Sequence, residues 1–229
     1  IVSLGAAASL SAASIGFSFN SDRDNATAVM NSTTVAGVVP STGWVNTDGG
    51  GDATAGASGP LVNNGVTVDW SSNGTWNTNN GAVTGDDILM NGYVDAINAD
   101  GAAQINLTGL SSLFAGSYDV YVYFGSDGNW RTGAVAGPGA TFDFSTFSNQ
   151  GGASPFPFVQ TTSTDGSNPQ ANYAVFAGLT GDGQTFDLIR GNSNSGFHGV
   201  QIVGDLIPEP SSSLLIALGG LLVMRRRRR

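Results

Sequence analysis

Three consecutive residues, Asn129, Trp130 and Arg131, have side chains well suited to binding a ligand. They follow an alternating apolar run and lie among Gly, Asn and Asp residues, which predicts a loop at one end of a β-structure. An exposed indole ring can stack on a sugar ring, and a guanidinium group adds directional hydrogen-bond donors. Trp76, in another Gly- and Asn-rich stretch, would extend such a surface. A sugar-binding site at Asn129, Trp130, Arg131 and Trp76 is therefore one interpretation of these residues, and ordinary core filling by the two tryptophans is the other.

Other aromatic residues leave two interpretations open. Trp44 and Tyr93 would add to a sugar-binding platform if they were exposed, but large aromatic residues more often fill a core. Trp70 ends an alternating run, VTVDW, and its position predicts a core residue.

Two short acidic turns are candidate calcium sites. Ser126–Asn129 and Thr84–Asp87 offer oxygen ligands, and the candidate metal ligands are Asp127, Asn129, Asp86 and Asp87. Neither segment has the twelve-residue EF-hand pattern. Ordinary turn chemistry explains the same residues and is the favoured interpretation. Structural calcium is the one cofactor that the sequence suggests.

Residues that could catalyse a reaction are scarce. The chain has no cysteine and a single histidine, His198, and it contains neither a G-x-S-x-G nor an H-E-x-x-H motif. A glycosidase needs two carboxyl groups, but the only glutamate is Glu209, and many aspartates precede glycine, as in turns. We predict a protein that is not an enzyme, and a secreted polysaccharide hydrolase is the least favoured alternative.

The charge distribution excludes nucleic acid as a partner. The chain has no lysine, and residues 1–210 hold three arginines against all 17 acidic residues, a net charge of −14. Such a surface repels a phosphate backbone.

Apolar alternation with a period of two recurs between turn signals, and it predicts the fold. The clearest run, SYDVYVYF, places Tyr118, Val120, Val122 and Phe124 on one face. Other runs of this kind are residues 16–19, 66–70, 103–107, 141–144, 173–177, 184–189 and 199–203. Strands at this density, with one helical turn expected within 110–116, predict an all-β antiparallel β-sandwich or jelly roll over residues 15–205. The longest loops are expected at 63–80 and 150–170.

The two ends of the chain differ from this domain. Residues 1–14 are small and apolar, as in the second half of a secretory signal peptide. Residues 206–229 contain Pro-Glu-Pro, an apolar segment at 211–224 that predicts a short transmembrane helix, and five terminal arginines. A 14-residue helix spans about 21 Å of a hydrocarbon core about 30 Å thick, which is short for a permanent anchor. The arginines would remain in the cytoplasm and leave the domain outside.

This tail resembles the PEP-CTERM sorting signal of Gram-negative bacteria. The resemblance rests on Pro208, Glu209 and Pro210, the apolar segment, and the membrane-stop charges Arg225, Arg226, Arg227, Arg228 and Arg229. It implies an inner-membrane intermediate, recognition and cleavage by an exosortase, and delivery to the cell surface or to an extracellular polysaccharide matrix.

The domain in front of the tail also carries a resemblance. The segments DDILMNGYVDA, YDVYVYFGSDGNWRTG, NYAVFAGLT and GFHGVQIVG look like a domain of planctomycete-type surface proteins, similar to galactose-binding-like and malectin-like jelly rolls. Fold carries over from such a likeness and ligand does not. The expected function is a non-catalytic, exported surface or matrix protein that binds exopolysaccharide through loop aromatics. A structural matrix protein with no specific ligand is the alternative.

Overall fold

The computed structural model describes residues 12–19, 29–47, 60–72, 74–96, 102–147 and 157–207. This part of the chain is mostly β-strand. Its strands are β1 (Ala12–Ser18), β2 (Val45–Asn46), β3 (Leu61–Asn63), β4 (Val66–Ser71), β5 (Gly74–Asn77), β6 (Gly92–Asp95), β7 (Ala102–Thr108), β8 (Phe114–Gly125), β9 (Thr132–Gly137), β10 (Ala140–Ser145), β11 (Tyr173–Leu179), β12 (Gln184–Arg190) and β13 (Gly196–Leu206). Two short helices, α1 (Gly85–Leu89) and α2 (Leu110–Leu113), accompany them. The predicted all-β class is confirmed.

The strands form two sheets. The seven-stranded sheet has the order β11-β8-β13-β1-β2, and β6 continues the sheet beside the start of β13, with β5 paired to β6. The six-stranded sheet has the order β10-β9-β12-β7-β4-β3. Every pairing is antiparallel except that of β1 with β2. Such antiparallel sheets can bury one face and leave the other to solvent, which produces the alternation seen in the sequence.

The main core lies between the two sheets. Val120, Val122 and Phe124 of β8 are fully buried there, on the face that the alternation predicts. Phe124 stacks on Phe144 of the other sheet with ring centroids 4.1 Å apart. Burying one such aromatic side chain contributes about 1.5–3 kcal/mol relative to exposing it. Trp70 belongs to this core, as predicted.

A second layer covers the outer face of the seven-stranded sheet. Residues 29–47 and helix α1 supply buried side chains that pack on Tyr123, which points away from the main core. Trp44 meets Tyr123 edge-on, with ring centroids 6.2 Å apart. The Tyr123 hydroxyl donates to Gln201 Oε1 at 2.7 Å, and it accepts a hydrogen bond from the Val38 amide. The sheet is therefore buried on both faces in this region, which the sequence did not predict.

All eight alternating runs lie in strands, except that Phe19 follows the end of β1, and residues 110–113 form the expected helical turn. The segment 63–80 differs from the prediction, because strands β4 and β5 occupy most of it. Strand β1 begins at Ala12 and pairs with Asp205 of β13 at that residue, three residues before the expected start of the domain.

Candidate ligand-binding site

One end of the molecule gathers the loop that was predicted to bind a ligand. We call residues 126–131, between β8 and β9, the Trp130 loop. The connection between β12 and β13 lies beside it, because the Asn192 side chain bonds to the Thr132 amide at 2.8 Å. The end of β10 lies on its other side, where the Trp130 amide donates to the Thr146 carbonyl at 2.9 Å. Two other segments of the fold, the β12–β13 connection and the end of β10, therefore contact this loop.

Trp130 combines exposure with a strained backbone. Its side chain is 61% exposed, the most of any tryptophan in the described part of the chain. Its φ of 60° lies in the left-handed region, which costs a bulky residue about 1–2 kcal/mol. Such strain persists only where the surroundings impose it, and it is concentrated at functional sites.

Two buried hydroxyl groups impose the loop's conformation. Ser126 Oγ donates to the Gly128 carbonyl at 2.7 Å, and Thr146 Oγ1 donates to the same carbonyl at 2.6 Å. Thr146 Oγ1 also accepts the Arg131 amide at 3.1 Å. Because both hydroxyls are fully buried, solvent cannot compete for these bonds. Trp130 is thus presented on a fixed backbone.

Arg131 and Asp127 form an ion pair across the loop. Arg131 Nη1 lies 2.6 Å from Asp127 Oδ1 and also donates to the Asn194 carbonyl at 3.3 Å. The Tyr93 hydroxyl donates to the same Asp127 oxygen at 3.2 Å. A Cβ atom at residue 128 would lie against the Arg131 guanidinium, so glycine there leaves room for the ion pair in its present position.

Asp95 lies near this ion pair and was not predicted as a site residue. It is 2% exposed, and within the described part of the chain its Oδ1 atom makes no hydrogen bond. Burial is the main cause that raises the pKa of Asp95 to about 7, and Asp127 adds to it. Arg131 and Arg190 oppose the rise in this pKa through their positive charges. Asp95 therefore carries a proton in mildly acidic solution.

The strands place glycines on both sides of Asp95. Its partners in the sheet are Gly74 on β5 and Gly196 on β13. A Cβ atom at residue 196 would collide with the Tyr93 ring, so glycine there lets that ring lie against the strand. No local motif in the sequence marks Asp95, since its two strand partners lie about 20 and 100 positions away along the chain.

The other predicted aromatic residues have different environments. Trp76 is partly exposed and lies opposite Tyr93 in the β5–β6 pair, so it shares a sheet face with the Tyr93–Asp127–Arg131 chain of contacts. Trp44 and Tyr93 are buried, which favours core filling over an exposed platform, the two interpretations that the sequence left open. Trp44 belongs to the second layer on the outer face of the sheet, and the Tyr93 ring packs against His198.

The candidate calcium ligands do not form one site. Asp87 closes a capping box with Thr84 at the start of α1, and Asp86 accepts the Gly37 amide at 2.9 Å. Asp127 is bound to Arg131, and Asn129 Oδ1 accepts a hydrogen bond from Gln170 at 2.7 Å. In the residues that the structure describes, no group of three or more His, Cys, Asp or Glu side chains is arranged to hold a metal ion.

His198 is the extra residue of a bulge in β13. The register with β8 shifts between Phe197 and Gly199, and the His198 ring packs edge-on against Tyr93, with centroids 5.2 Å apart. His198 Nδ1 lies 2.8 Å from the Gly92 carbonyl. Burial lowers the pKa of His198 to about 4, so the ring is neutral at ordinary pH.

The predicted sorting motif Pro208–Pro210 and membrane-stop charges Arg225–Arg229 lie outside the described residues, as does most of the predicted signal remnant. Among the residues that are described, no helix has the length and apolar character needed to cross a membrane.

No protein-family model matches this chain, and neither the curated proteins nor the solved structures contain a match.

Proposed function

We propose that this chain is a non-catalytic, exported β-sandwich protein of the cell surface or extracellular matrix that binds polysaccharide through the Trp130 loop. The observation that carries the proposal is Trp130 itself, an exposed indole held at a φ of 60°. A tryptophan that only filled space would be buried in a relaxed conformation. Stacking on a sugar ring is a function that this arrangement supports.

The strand order supports assignment to the jelly-roll class. Consecutive strands from β6 to β13 form two antiparallel four-stranded layers, β6-β13-β8-β11 and β7-β12-β9-β10. A double-sheet fold of eight strands is the jelly-roll arrangement, which lectin domains also use. The last residues of β6, β8, β10 and β12 then lie at one end of the sandwich, which is the end that carries Trp130.

Export is proposed from the sequence. The Pro-Glu-Pro tail, the apolar segment and the terminal arginines support sorting by an exosortase through an inner-membrane intermediate. Intact-mass measurement and terminal sequencing of the protein from its native host test this step. A product that ends near Pro208 is expected, and a product that still ends at Arg229 would refute the sorting step.

A structural matrix protein without a specific ligand remains the second candidate. On the outer face of the six-stranded sheet, polar side chains bond to one another: Gln104 Nε2 donates to Asp187 Oδ1 at 2.7 Å, and Asn106 Nδ2 donates to Gln104 Oε1 at 2.9 Å. Such side chains offer fewer free groups to a ligand. This favours a hydrated, passive surface on that side.

Binding to a panel of immobilised glycans separates the two candidates. The parent chain is expected to bind at least one glycan, and Trp130→Ala is expected to weaken that binding at least tenfold, since stacking on an aromatic ring is a major part of the contact. Ile189→Ala is the matched control, because Ile189 is also a large exposed apolar residue, on β12. Binding by Trp130→Ala equal to that of the parent would refute the site, and a parent that binds no glycan would favour the structural candidate.

A further inference from the structure

The positive charges of the described residues are concentrated at one place. Arg131 and Arg190 are the arginines in that part of the chain, and the chain has no lysine. Both arginines act electrostatically on Asp95, so both lie at the Trp130 end of the sandwich. The other charged side chains of the described residues are aspartates. Within the described residues, this end is therefore where a negatively charged ligand meets the least repulsion.

Arg131 keeps part of its hydrogen-bonding capacity. Its two hydrogen bonds, to Asp127 and to the Asn194 carbonyl, both use Nη1. Nε and Nη2 make no hydrogen bond within the described part of the chain, and the side chain is 24% exposed. An arginine presents five N–H donors in a planar fork, so donors remain for a planar acceptor beside the loop.

Protonation of Asp95 removes one negative charge from the surroundings of Arg131 in mildly acidic solution. Burial raises the pKa of Asp95 to about 7, and its protonated form then contributes no charge.

From this geometry we infer that the Trp130 loop selects sugars that carry a carboxylate group. This inference rests on the proposed polysaccharide-binding function. The indole of Trp130 stacks on the sugar ring, and the Arg131 guanidinium of the next residue binds the carboxylate. A planar carboxylate matches the guanidinium fork better than a hydroxyl does, and a charge-assisted hydrogen bond is about twice as strong as a neutral one. The ligand class is a polysaccharide that contains uronic acid.

Titration calorimetry with two matched probes tests the inference. One probe is a tetrasaccharide of galacturonic acid, and the other is the same tetrasaccharide with its carboxyl groups reduced to alcohols. At a pH of about 6 the full chain is expected to bind the acidic probe about tenfold more tightly, a difference of about 1.4 kcal/mol, because the carboxylate adds a charge-assisted contact. Raising NaCl from about 50 to about 500 mM is expected to weaken binding of the acidic probe selectively.

Two substitutions are expected to act with opposite signs. Arg131→Gln removes the positive charge, and it is expected to abolish the preference for the acidic probe while affinity for the reduced probe changes less than about twofold. Asp127→Asn keeps the shape of the side chain and removes the negative charge, so affinity for the acidic probe is expected to rise. This second variant keeps the test informative if Arg131→Gln fails to fold.

The outcomes distinguish this inference from the proposed function. Equal affinity for the two probes, or tighter binding of a sulfated tetrasaccharide than of the carboxylated one, would overturn the carboxylate inference and leave the polysaccharide-binding function intact. Binding of neither probe, together with no binding to the glycan panel, would overturn both.

Discussion

The Asp95→Asn substitution should change how the stability of this protein depends on pH. Asparagine has the same shape as aspartic acid but cannot ionise. In the folded chain the pKa of Asp95 is raised from 3.8 to about 7 because its carboxyl group is buried. The folded state therefore holds a proton on Asp95 over a pH range in which the unfolded chain has released it. Protonated Asp95 therefore stabilises the folded state fully below about pH 4, and this stabilisation is lost as the pH rises through about 7.

The size of this change in stability follows from the change in the pKa of Asp95 on folding. A rise of about three pKa units, at 1.36 kcal/mol per unit, corresponds to about 4 kcal/mol lost between pH 4 and pH 7. His198 acts in the opposite direction, because burial lowers its pKa from 6.5 to about 4. The unfolded state binds a proton at His198 over that range, so the folded state gains about 3 kcal/mol as pH rises from 4 to 6.5. In the parent chain these two contributions nearly cancel below pH 6.5.

Urea denaturation of the full chain at several pH values between 4 and 8 measures both effects. The free energy of unfolding of Asp95→Asn is expected to rise by about 3 kcal/mol from pH 4 to pH 6.5, because the His198 contribution is no longer opposed. The parent is expected to show a much smaller change over the same range. Asp205→Asn is the control, since Asp205 is exposed on β13. Parallel profiles for Asp95→Asn and the parent would refute the assignment of a buried, protonated Asp95.

Three other substitutions test the fold and the loop. Tyr93→Phe removes the hydroxyl that donates to Asp127 at 3.2 Å, and a loss of about 1 kcal/mol of unfolding free energy is expected in urea. Phe144→Ala removes a fully buried ring that stacks on Phe124, and calorimetric unfolding should show a loss of about 3–5 kcal/mol in the free energy of unfolding. A loss below about 1 kcal/mol would contradict the packing between the sheets. Trp130→Gly relieves the strained φ of 60°, so the free energy of unfolding should rise by about 1 kcal/mol while glycan binding is lost. A variant less stable than the parent would show that the strain is absent.

The strands that the sequence predicted are those in which large apolar and polar residues alternate. Strand β8 is the clearest example, because Val120, Val122 and Phe124 face the main core. Strands β5 and β9 have few large apolar residues, and they form because neighbouring strands accept their backbone hydrogen bonds. Such a strand depends on its partners more than on its own sequence, so local patterns do not reveal it.

The site was predictable to the extent that it depends on neighbouring residues. Trp130 lies between turn residues, and this local setting correctly indicated exposure. Tyr93 lies in a similarly polar setting and is nevertheless buried, with its ring packed against His198, more than 100 positions away. The contact between Tyr93 and Asp127 joins residues 34 positions apart and requires glycine at residue 196. No periodicity within a single segment contains that information.

A cavity of about 430 Å³ elsewhere offers a competing location for a ligand, and its chemistry argues against it. It is lined by small apolar and hydroxyl side chains, including Ser14 and Ser41. Ser14 donates to Ser41 at 3.1 Å, and Gln201 Nε2 donates to both hydroxyls, so these polar groups are already paired. The Trp130 loop has the opposite character, with an exposed indole, guanidinium donors that remain available and a strained backbone held by buried hydroxyls. A sugar gains more from groups that are unpaired and held in place than from a cavity whose hydrogen bonds are satisfied, because the binding energy comes from interactions that the free protein does not already make.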